Sequence, residues 1–125
     1  MVLINTVLET EVQTDLLLAA PVPLTEHPAH VYINSRLSPS YRYTMREALR
    51  TIAQILTKGT AADKITLDWS KLRYKHTAAL LTVLASKYAP ATTNKILSAL
   101  RCVLREALRL ELMDGADYAG AVDIY

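Results

Sequence analysis

The sequence predicts an all-α protein: a small bundle of four to five helices with an extended arm at its amino end. Three observations carry that prediction. Of the 125 residues 51% are apolar, with three Gly, no Phe and many Ala, Leu, Arg and Thr, a composition that favours helices. Apolar residues recur at a 3.6-residue period over long segments. Helix-start chemistry, Thr25-Glu26 with Pro28 and then Ser38-Pro39, stands just ahead of the first two such segments. A chain of this length makes about one domain.

Residues 1–24 read as the arm. VLINTVLETEVQ mixes β-branched and polar residues, and APVP ends or kinks any helix that tries to cross it. The helical domain takes residues 25–125. It opens near Thr25 and continues through AHVYINSRL, with Ala29, Ile33 and Leu37 on one face. Ser38 then caps, and Pro39 opens, a second helix running through SYRYTMREALRTIAQILTK to a stop at Gly59. Met45, Ala48, Leu49, Ile52, Ile55 and Leu56 form its buried stripe. Beyond the linker GTAADKI, Thr66 is placed to cap a turn through LDWSKL, where Trp69 anchors the linker on the bundle. A third helix crosses RYKHTAALLTVLASKY with Leu72, Ala79, Leu80, Val83 and Leu84 inward, and Pro90 closes it. The fourth runs from about Ala91 to Leu110, covering one side with Ile96, Leu97, Leu100, Val103, Leu104, Ala107 and Leu108. The tail MDGADYAGAVDIY adds a further turn after a break at Asp114 or Gly115. Nothing repeats at a fixed period, so a bundle is expected rather than a solenoid.

Several classes are excluded at this point. The longest apolar stretch, LLLAAPVPL, falls well short of the roughly 20 residues a bilayer span requires, and it holds two prolines. No membrane partner is expected. The amino end, MVLINTVLETEVQTD, lacks the Lys or Arg that begins a secretory signal. The single Cys, Cys102, closes no intrachain disulfide and suits a reducing compartment. The expected location is the cytoplasm, in a bacterium the cytoplasm or nucleoid.

The formal net charge of +2 conceals strong segregation. Residues 1–35 hold four acids and no Lys or Arg, residues 36–109 hold all 14 basic residues against four acids, and residues 110–125 hold four acids alone. The balance runs −4, +10, −4 along the chain. A basic centre points to a polyanionic partner, the plainer reading being a well-solvated surface with chance clustering. Helical geometry sharpens the choice. At about 100° per residue, Arg42, Arg46 and Arg50 drift by only about 40° per step and line one edge of the second helix. On the fourth helix Asn94, Ser98, Arg101, Arg105 and Arg109 fall within a wedge of about 80° opposite the apolar face, with Lys95 on its flank. Thr92, Thr93 and Asn94 stand at that helix's start, where open backbone N–H groups favour a phosphate. Arginine's planar fork grips phosphate or a guanine edge through paired hydrogen bonds. Either stripe alone reads as an ordinary solvated face; two within a +10 segment favour nucleic-acid binding.

The remaining chemistry-bearing residues form no catalytic or metal cluster. His27 and His30 are three apart without a third ligand at a partner spacing, and a capping or solvated role suits them better. Cys102 reads as an inert helical thiol. Tyr41 and Tyr43 either contact a sugar-phosphate or cover the hydrophobic edge of their helix, and the sequence leaves both readings open. No cofactor is expected.

The segments LSPSYRYTMREALRTIAQIL and KYAPATTNKILSALRCVLREALRLELMDGADYAGAVDI, with DWSKLRYKHTAALLTVLASKY between them, resemble the core-binding domain of tyrosine recombinases, the phage integrase family. The resemblance covers about residues 27–123 and is sharpest in APATTNKILSALRCVLREA. It implies a SAM-like helical bundle that packs on one side of double-stranded DNA. A separate C-terminal catalytic domain of the same protein would close from the other side, attacking the scissile phosphate with a tyrosine and needing no metal or nucleotide. Partner protomers in a tetramer on DNA are implied as well. The catalytic residues of that family are not matched here, so the resemblance assigns this chain no cleavage of its own. It places Tyr41, Arg42, Tyr43, Arg46, Thr92, Thr93, Asn94, Lys95, Ser98, Arg101 and Arg105 on DNA; the charge geometry adds Arg50. Arg42, Thr92, Thr93 and Lys95 would position phosphates, and Arg46, Asn94, Ser98 or Arg101 would reach base edges. The acidic arm departs from many members of the family. The rival expectation is a helical protein-interaction domain that self-associates through its basic belt and acidic ends.

Overall fold

Prolines and caps divide the chain into its elements. The structure, a computed structural model, describes residues 16–36, 38–59 and 67–124. It is all-helical among those residues, with five α-helices: α1 (Pro28–Asn34), α2 (Pro39–Thr57), α3 (Tyr74–Lys87), α4 (Pro90–Arg109) and α5 (Gly115–Val122). The arm's first 15 residues, the inward position given to Leu37, most of the linker with its Thr66 cap, and Tyr125 lie outside the described residues.

The first helix is shorter than the sequence predicts. Leu24–Glu26 form a 3₁₀ turn, and His27 is extended (φ −93°, ψ 115°) before α1 begins. Pro28 explains the split, because a proline ring disfavours helical backbone at the residue before it while its own fixed φ suits the first helical position. α2 begins as expected: the Ser38 hydroxyl accepts from the Tyr41 N–H at 3.3 Å. Its stop is built by two left-handed residues, Lys58 (φ 55°) and Gly59 (φ 84°), whose N–H groups both reach the Gln54 carbonyl. Met45, Ala48, Leu49, Ile52 and Leu56 are buried together with Ala53, and Ile55 packs against them half-buried.

Asp68 opens the next segment, its carboxylate accepting from the Ser70 N–H (3.2 Å) and hydroxyl (2.6 Å) over the 3₁₀ turn Trp69–Lys71. Trp69 is 1% exposed. In α3 the buried face is turned relative to the expected one. His76, Thr77, Leu80 and Leu84 are buried, whereas Ala79 and Val83 are only half-covered. The shift is tolerated because the inward polar groups are satisfied: the His76 Nδ1 accepts from the Arg73 N–H at 2.9 Å, and the Thr77 hydroxyl donates to the Tyr74 carbonyl at 3.2 Å.

Pro90 starts α4 rather than merely closing α3, and α4 is the central rod against which α1, α2, α3 and α5 all pack. Ile96, Leu97, Leu100, Val103, Leu104 and Ala107 are buried along it, joined by Thr93 and Ala99. The tail forms more than the single turn expected. Asp114 caps α5 by accepting from the Asp117 N–H (2.8 Å), and Arg73 pairs with Asp117 at 3.2 Å to tie α5 to the start of α3. Ala121 and Ile124 complete that contact in the core.

The arm's end belongs to the bundle. Leu16 is 0% exposed, its carbonyl accepts from the Asp68 N–H, and Leu17 forms an isolated antiparallel bridge with Leu67. Among the described residues no helix is long and apolar enough to cross a membrane.

Candidate nucleic-acid interface

α2 and α4 lie directly against each other through their apolar stripes, which brings the polar flanks of both onto one side of the bundle. The α1–α2 connection joins them there. Together these elements line an open groove of about 1040 Å³. Ser35 and Arg36 come from the connection, Ser38, Ser40, Tyr41, Thr44 and Met45 from the start of α2, and Lys95 and Ser98 from α4. No acid lines it. The wall is therefore hydroxyl-rich and carries two cations from separate elements, a composition suited to an anion.

Of the predicted site residues, the groove gathers Tyr41, Lys95 and Ser98. Tyr43, Arg46, Thr92, Asn94 and Arg105 are exposed but do not line it, and Tyr43 stands out at 61% exposure. Arg42 is half-buried and donates to the Arg36 carbonyl at 2.7 Å, which fixes the connection against α2. Arg50 is exposed and pairs with Glu47 one turn earlier on its own helix. Arg109, on the same wedge of α4, pairs with Glu106 at 3.1 Å.

Two placements differ from those the helical wheel predicts. Thr93 is 5% exposed, and its hydroxyl donates to the Leu84 carbonyl at 3.3 Å across the α3–α4 corner. It closes that corner and is not presented for a phosphate. Arg101 is half-buried and donates from Nη2 to the Ile124 carbonyl at 2.9 Å, so its guanidinium holds the segment after α5. Arg105, one turn further, is exposed, and its interaction with Tyr118 of α5 raises its already high pKa. A wheel gives the direction of a side chain from its own axis but does not register a neighbouring helix, and α5 covers part of the wedge.

The Tyr41 hydroxyl lies 2.8 Å from that of Tyr32, which is buried in α1. Burial, followed by the hydrogen bonds to Tyr41 and Cys102, pushes the Tyr32 phenol well above its ordinary pKa and keeps it neutral. Tyr41 is exposed on the groove wall, where its hydroxyl meets that of Tyr32.

Arg36 is the residue that charge geometry passes over. Its guanidinium lies over the Tyr32 ring at 5.1 Å, and its Nε donates to the Ser35 hydroxyl at 3.0 Å. It sits on neither helical stripe; its one sequence signal is its place two residues before the Ser38-Pro39 start. His27 is buried and His30 shares a 2.8 Å hydrogen bond with Asn34. No group of three or more His, Cys, Asp or Glu side chains converges among the described residues.

Comparisons with models of known protein families, with curated proteins and with solved structures find no match for this chain.

Proposed function

We propose that this chain is a DNA-binding domain of the core-binding type, positioning duplex DNA for a tyrosine recombinase whose strand cleavage and rejoining belong to a separate C-terminal domain. The observation that carries the reading is the acid-free, hydroxyl-rich groove where α2 and α4 meet, with Tyr41, Lys95 and Ser98 on its wall. Tyr43, Arg46, Asn94 and Arg105 extend an exposed polar and cationic surface along the same two helices. In this assignment Lys95 serves a phosphate, Arg46, Asn94 and Ser98 reach base edges, and Thr93 and Arg101 maintain the fold.

Binding of a labelled duplex, followed by fluorescence anisotropy at several salt concentrations, tests it. Log affinity should fall with log salt by about 0.9 per phosphate contacted. Arg46→Glu and Arg105→Glu should each weaken binding more than Lys58→Glu, which changes a cation at the far end of α2. Absent or salt-independent binding at low ionic strength overturns the proposal, and equal effects of the three variants overturn the choice of face.

Self-association is the second reading, in which the basic belt of one copy meets the acidic ends of another, a complementarity carried by the −4, +10, −4 segregation of charge. Size-exclusion chromatography separates the two. Salt-sensitive self-association that duplex DNA does not compete favours a protein-interaction domain.

A further inference from the structure

Among the described residues Arg50, Lys71, Arg73 and Arg109 meet carboxylates of Glu47, Asp68, Asp117 and Glu106. Arg36 and Lys95 make no ion pair among the described residues, although they line one groove with no acid in its wall. Two like charges on a shared wall repel, and a single anion between them replaces that repulsion with two attractions. Arg36 is suited to this by what already holds it. Stacking on Tyr32 and the Nε bond to Ser35 restrain the guanidinium and leave its Nη hydrogens to donate elsewhere. Tyr41 offers a third donor, since its hydroxyl can accept from buried Tyr32 and give its own hydrogen to an acceptor in the groove.

We propose that the groove seats one phosphodiester of the DNA backbone, shared by Arg36 from the α1–α2 connection and Lys95 from α4, with the Tyr41 hydroxyl as an uncharged third donor. This rests on the DNA-binding reading and adds to it a residue outside both helical stripes and a stoichiometry. One shared phosphate makes the two cations interdependent. Contacts to this phosphate carry no base information, so the loss is the same on unrelated sequences.

The test compares salt dependences of duplex binding by the full chain and by Arg36→Gln, Lys95→Gln and the double variant. Each single variant should weaken binding yet keep the log–log slope, because the remaining cation still neutralises the shared phosphate, and the double variant should lose about 0.9, the value for one phosphate, rather than about 1.8. Arg36→Lys, which keeps the charge, should retain the slope. Circular dichroism and the thermal midpoint establish that each variant is folded; both side chains are exposed, and loss of the Tyr32 stack should lower the midpoint of Arg36→Gln by no more than about 4 °C. Additive losses overturn the shared phosphate. A wild-type slope in the double variant, while the wild-type protein itself shows salt-dependent binding, overturns the groove alone. Absent binding by the wild-type protein overturns the groove and the DNA-binding reading together.

Discussion

Replacing Arg101 by Met keeps an apolar stem of similar reach and removes the guanidinium that holds the Ile124 carbonyl at 2.9 Å. A hydrogen bond from a charged donor contributes about 1.5–3 kcal/mol. Arg101 is half-buried, so solvent screening brings its share below that range, to about 1 kcal/mol. For a chain of 125 residues that corresponds to a fall in Tm of about 4 °C. The loss should be local as well as global: amides of α5 should exchange with solvent faster relative to those of α2. If the guanidinium serves the fold, it neutralises no phosphate, and Arg101→Met should leave the salt slope of duplex binding at the wild-type value. Calorimetry, hydrogen exchange and anisotropy read these three quantities on one preparation. An unchanged Tm, or a slope shallower by about 0.9, would refute the assignment and return Arg101 to the DNA-facing set.

Two further predictions concern the elements that hold the groove in place. Ser38→Ala removes the acceptor of the Tyr41 N–H at the start of α2 and should cost about 1 kcal/mol in urea unfolding, without a change in m. Glu111 has φ 61° in the turn after α4, a conformation that strains any side chain, so Glu111→Gly should raise stability by up to about 1 kcal/mol, read as a higher midpoint in the same experiment.

Caps and amphipathic period are local properties, and the elements that depend on them alone are readable from residues. Ser38-Pro39, the α2 stripe and the α4 stripe all have this character, and each occupies the place its own few neighbours dictate. The α3 face is harder to read because Ala78, Ala79 and Leu81 dilute the contrast around the helix. What turns it is a pair of polar residues, His76 and Thr77, whose hydrogen bonds make burial tolerable. The candidate interface divides along the same line. Its helices, and the exposure of Arg46, Asn94, Lys95 and Ser98, follow from helical phase. The enclosure of Thr93 at the α3–α4 corner and the diversion of Arg101 to Ile124 depend on where other helices pass. Arg36 is legible only in part: its place over Tyr32 is a local contact one turn apart at the end of α1, whereas its meeting with Lys95 in one groove depends on α1 docking on α4.

The Leu16 seat decides where this molecule can be trimmed. A fragment begun at the first helical residue would keep every α-helix, yet it would vacate a leucine-sized space in the core at a cost of about 2–5 kcal/mol and remove the acceptor of the Asp68 amide. The minimal folding unit is thus bounded by a strap without helical character, and cutting inside it would weaken the very turn on which Trp69 is mounted.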